Sequence, residues 1–160
     1  MSFTTVTADL TVGQIGQLAA PIEPFNSVQS YVLGTDIQPG YGVVLSADTI
    51  VLPSDANGIF AGVVYTDGTL PIESTAFGPT SGVVNAPCAK HGVRVWVKTS
   101  AAVATTDPVY LQFTTGTGAV GTFRNDADTS GSARAVLVHG CQWDHSASSG
   151  RAVLRLNLPV

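Results

Sequence analysis

Apolar and polar residues alternate with a period of two along short runs of this chain, and glycine or proline interrupts those runs every few residues. Successive side chains of a strand point to opposite faces, so the pattern specifies half-buried β-strands. HGVRVWVK carries it over a full strand length, with His91, Val93, Val95 and Val97 alternating with Gly92, Arg94, Trp96 and Lys98. DPVYLQF sets Val109, Leu111 and Phe113 against Tyr110 and Gln112, and RAVLRLN sets Ala152, Leu154 and Leu156 against Arg151, Val153 and Arg155. Across 160 residues with 17 glycines and 9 prolines, no window of a dozen holds a 3.6-residue apolar period. An all-β class is expected.

GIFAGVVY (58–65) and ARAVLVHGC (133–141) are almost continuously apolar, which predicts core strands covered on both faces. Further strands are predicted at 28–33, 42–45 and 49–52, separated by the turn-forming TDIQPGYG, SAD and PSDANG. About nine or ten short strands suit a single compact antiparallel β-barrel or sandwich. Two segments stand apart. Residues 1–27 hold Phe3, Val6, Leu10, Ile15, Leu18, Ile22 and Phe25 at irregular spacing, broken by Gly13, Gly16, Pro21 and Pro24. They are expected to form an extended N-terminal arm ahead of an all-β domain spanning 28–160, and an arm with apolar side chains needs a surface to bury them on. Residues 66–90 hold three prolines and are expected to be a long loop.

The charged fraction is 11%, well below the usual value of about a quarter. The surface is therefore made of Thr, Ser, Gly, Ala and Gln. A net charge of -4 with only seven Lys and Arg offers no basic tract for phosphates, so nucleic-acid binding is disfavoured. The opening MSFTTVTADL has neither a basic start nor an apolar h-region, and no apolar run is long enough to span a bilayer. Synthesis in a cytosol and no membrane partner are expected. Cys88 and Cys141 lack paired-motif spacing and read as free thiols.

Sites of chemistry are sparse. His139-x-Cys141, with His91 and His145 elsewhere, superficially resembles zinc-ligand spacing, but two local ligands do not close a site; a core histidine beside a buried thiol is expected. DADTSG (126–131) matches the first half of an oxygen-ligand calcium loop, yet its twelfth position is Leu137 where a bidentate glutamate is needed. A polar turn is expected, and no metal or cofactor. There is no G-x-S-x-G elbow, and Glu23 and Glu73 sit in proline-flanked loops with no carboxylate partner, so no catalytic residue is assigned and the chain is not expected to be an enzyme. The face of 90–98 that carries Lys90, Arg94 and Lys98 with Trp96 is basic and aromatic. It is either a solvated face with the indole covered by cationic stems or a protein-contact surface, since Trp and Arg carry interface energy.

Several stretches, taken in order, resemble one family. GQIGQLAAPIEP is similar to the Gly-Gln-containing N-terminal segment of the phage structural cement proteins, and IFAGVVY is similar to their F-x-G-V strand. HGVRVWVKTSAAVATTDPVYLQFTTGTGAVGTFR resembles their long stretch through D-P-V-Y to G-x-F, and RAVLRLNLP resembles their closing strand. The resemblance implies a capsid decoration protein of a tailed bacteriophage, made in the host cytoplasm, bound to the outside of the virion head and bridging major capsid protein subunits. It implies no catalysis and, as a family expectation, a homotrimer. Candidate contacts are Phe3, Leu10, Ile15 and Leu18 of the arm, with Arg94 and Trp96. The alternative is a virion-surface carbohydrate-binding adhesin module in which Trp96, Tyr110 and Trp143 stack on sugars.

Overall fold

The computed structural model describes residues 14–19, 27–66, 76–82, 84–129 and 132–158. Among them are ten strands and no helix: β1 Ser27–Leu33, β2 Gly42–Ser46, β3 Thr49–Val51, β4 Phe60–Val64, β5 Asn85–Thr99, β6 Tyr110–Gln112, β7 Phe123–Arg124, β8 Ala135–Leu137, β9 Cys141–Trp143 and β10 Gly150–Asn157. The fold is all-β, as the alternation required.

β1, β3, β2, β4 and β5 pair in that order, and β5 pairs back onto β1 to close a five-stranded barrel. An odd ring cannot alternate direction throughout, so one neighbouring pair must run parallel. That pair is β1 with β3, joined through Val32↔Thr49 and Leu33↔Ile50. Outside the barrel, β5 and β7 are also parallel, through Thr99↔Phe123. These two pairings modify the antiparallel expectation.

β5 is the element shared by both halves of the fold. Of its 15 residues the first part pairs with β1 and β4, and the part from His91 to Thr99 pairs with β10. Two apolar layers follow from the strand period. Leu33, Ile37, Val43, Ile50, Ala61, Val64, Phe77, Ala86 and Cys88 form one buried cluster, drawn from the barrel strands and the loops that plug them. Neighbouring positions of the same strands, Val44, Val63 and Ala89, join Val93, Val95, Val97, Leu111, Phe123, Trp143, Leu154 and Leu156 in a second cluster between barrel and outer strands. Gly62 makes the tight approach of β4 to β5 feasible. It has φ +137, and a Cβ there would lie 2.2 Å from the carbonyl oxygen of Ala89.

Two sequence expectations are corrected. β5 begins at Asn85, so the last six residues of the expected 66–90 loop are strand, and Pro87 lies within it opposite Ser30. Three prolines disguised an alternation that buries Ala86 and Cys88. The run 133–141 is not one covered strand: β8 ends at Leu137, which is 40% exposed, and a turn at His139–Gly140 leads into β9. Gly140, at φ +76, supplies the turn that the apolar composition concealed.

Candidate contact surface

The second half of β5 presents alternate backbone groups to opposite edges. β10 lies along one edge, in register Arg151↔Lys98, Val153↔Trp96 and Arg155↔Arg94. Along the other runs the described part of the N-terminal segment. Gly16 N donates to Trp96 O at 2.6 Å, Trp96 N to Gln17 O at 2.8 Å, and Ala19 N to Arg94 O at 2.8 Å. Leu18 forms an antiparallel bridge with Val95, and Gln17 a parallel bridge with Thr66, whose N–H donates to Gly16 O at 2.8 Å. Residues 16–19 therefore fill a sheet edge of their own chain. This refines the expectation of an arm over 1–27: Ile15 and Leu18 are partly buried against the domain, Leu18 packing on the second cluster, while Phe3 and Leu10 lie outside the described residues.

Side chains of β5 at Val93, Val95 and Val97 face the second cluster, as do Ala152, Leu154 and Leu156 of β10. The opposite face carries Arg94, Trp96 and Lys98 beside Arg151, Val153 and Arg155. Arg94, Arg151 and Arg155 are exposed and Lys98 partly so. Arg94 Nε lies 3.2 Å from Asp144 Oδ1, with its side chain 43% exposed. Trp96 is the surprise. Alternation put it on a wet face, but it is only 3% exposed. His145 meets its ring edge-on at a centroid distance of 5.7 Å, and the Arg151 guanidinium carbon stands 5.8 Å from it. Trp96 is thus an internal support of the face and not an open anchor. The turn after β9 brings His145 back over β5, which no local pattern in β5 could reveal.

Metal-like motifs resolve into other roles. Arg124, itself 5% exposed, occupies the DADTSG loop: its guanidinium bonds Asp126 at 2.6–2.7 Å, lies 3.0 Å from Asp128 Oδ2, and also donates to Gln112 Oε1 and Thr117 Oγ1. Asp128 accepts further bonds from Gln112 Nε2 at 2.9 Å and from Thr117 N at 3.2 Å. The Gln112 hydrogen bond, then those from Thr117 and the Arg124 charge, hold its carboxyl below the ordinary range against the opposing effect of burial. A protein cation thus fills the position that the calcium motif suggested. His139 is exposed and separated from Cys141 by the turn, so the expected core histidine beside a thiol is corrected. Burial pushes both thiols up to about 12. Among the described residues no three His, Cys, Asp or Glu side chains are grouped to hold a metal ion.

Two concavities, of about 180 Å³ beside Ile15, Pro39 and Lys98 and about 280 Å³ beside Phe60, Leu137 and His139, are smaller than common ligand clefts. Trp143 is 3% exposed and donates through Nε1 to Pro108 O at 3.3 Å. With both indoles buried, the sugar-stacking platform expected of an adhesin is not available on Trp96 or Trp143.

The fold aligns with a chain of "The capsid of Myoviridae Phage XM1" over 98% of each chain, at a TM-score of 0.71 and 23% identity. No curated protein matches the sequence. The family model described as "Structural cement protein (E217 gp24/Pam3 gp6)" matches residues 3–157. With nearly its whole length covered, this chain belongs to the phage structural cement protein family.

Proposed function

We propose that this protein sits on the outer surface of a tailed-phage head, bridges neighbouring major capsid protein subunits as a homotrimer, and thereby stabilises the shell. Membership of the structural cement family over residues 3–157 carries the reading, and a non-enzymatic structural role goes with it. The fold supplies physical support. A charge-poor surface loses little hydration energy on burial against a partner, and a closed barrel leaves few free strand edges for unintended association. The proposed contacts are Phe3 and Leu10 from the segment ahead of Gln14, with Ile15, Leu18 and the exposed Arg94; Trp96 holds the face in shape from beneath.

The test compares purified heads with and without the protein. Heads lacking it are expected to release DNA at a lower temperature, and adding the protein back to restore the higher one. Difference density from cryo-electron microscopy is expected between capsid subunits on the outside of the head. Identical release curves together with no added density would overturn the reading.

A further inference from the structure

The outer face of β5 and β10 holds four of the chain's seven Lys and Arg residues, although the net charge is -4. The strand register puts them in like-charge pairs, Arg155 opposite Arg94 and Arg151 opposite Lys98. Like charges directly opposite one another across strands destabilise a sheet. Within each strand the two cations are four residues apart, or about 13 Å at the strand rise. Between the two pairs lie Trp96 and Val153, 3% and 1% exposed. The face is therefore a rectangle of cations around a packed centre. Asp144 answers Arg94, whereas Lys98 and Arg155 make no ion pair with the described residues.

We infer that this face docks on an acidic protein surface bearing two carboxylate clusters about 13 Å apart. Resting on the cement reading, it names the partner chemistry as an acidic patch of the capsid subunit. Guanidinium groups donate to carboxylates in bidentate fashion, and an acidic partner converts the repulsion within each cation pair into attraction across the interface. A second copy of the chain does not fit by the same face, because a two-fold contact would set cation against cation. A nucleic-acid duplex fits less well: it presents a charge every 1.7 Å or so of its length to a rectangle of four cations on a net-negative molecule.

The experiment measures binding of the full chain to purified heads that lack it, across a salt series. The double variant K98Q/R155Q removes two charges from the face. The control S54E/N57E changes net charge equally at exposed positions of the β3–β4 loop. K98Q/R155Q is expected to bind about tenfold or more weakly, with a shallower salt dependence, at an unchanged or raised melting temperature. The control binds as wild type, and K98R/R155K restores affinity. Wild-type affinity in K98Q/R155Q overturns the inference and leaves the cement reading standing. Failure of the wild type itself to bind heads overturns that reading and the inference with it. Binding of a duplex oligonucleotide as tight as binding to heads, and lost in K98Q/R155Q, also overturns it, in favour of nucleic acid.

Discussion

Gly40 and Ile15 approach so closely that a Cβ on Gly40 would lie 2.2 Å from Ile15 Cγ2 and 2.8 Å from Gly16 N. Gly40 also has φ +83, a backbone region costly for residues with a Cβ. The N-terminal segment is seated where the loop after β1 has been stripped of a side chain. G40A is therefore expected to destabilise by about 2 kcal/mol or more. Adding I15A should recover only part of the loss, because the Gly16 backbone remains in the way. Urea unfolding of the single and double variants measures both.

Truncation separates seating from binding. Deleting residues 2–20 removes the four backbone hydrogen bonds that Gly16, Gln17 and Ala19 make with Arg94, Trp96 and Thr66. At about 1 kcal/mol net for each bond, the expected destabilisation is about 4 kcal/mol. Deleting only residues 2–13 keeps those four bonds and is expected to weaken binding to heads. Unaltered head occupancy after the shorter deletion would remove Phe3 and Leu10 from the contact surface.

The Arg124 network makes stability depend on acid. Asp128 has a folded pKa below its ordinary value of 3.8, so its contribution is fully present above that value and is lost as pH falls through the depressed folded one. Denaturant midpoints measured from pH 7 downward should fall steeply below about pH 4 in the wild type and more gently in D128N. R124M strands two carboxylates and is expected to be less stable than wild type at pH 7, with the deficit shrinking as acid neutralises them. EDTA should leave the wild-type melting curve unchanged, since Arg124 is the cation those carboxylates hold.

Both thiols are expected to resist alkylation. Protonated at pH 8, with pKa values of about 12, Cys88 and Cys141 should react far more slowly with iodoacetamide in the native protein than in urea. Cys141, less completely covered than Cys88, labels first. Mass spectrometry of timed digests gives the order.

The sequence by itself determined the class and most of the strands. β4, β6 and β10 fall within or beside runs marked by period-two alternation or continuous apolarity, because side-chain direction in a strand is a local property, and β1 to β3 match runs set off by turn-forming segments. The ordered family motifs pointed to a cement protein for the same reason: they are strings of neighbouring residues. Tertiary structure decided what depends on partners distant in sequence. Ring closure by β5 onto β1 forced a parallel pair, and seating of Gly16–Ala19 turned part of an expected arm into a sheet edge. Trp96 occupies an outward position by alternation, yet His145 and Arg151 cover it, and burial depends on what arrives from outside the strand. Asp126 and Asp128 have calcium-like spacing, but the neighbouring Arg124 pairs with both, and Gln112, brought over by the pairing of β6 with β7, bonds Asp128. The like-charge register of β5 and β10 is of the same kind: each strand shows its own cations, and only pairing sets Arg94 against Arg155.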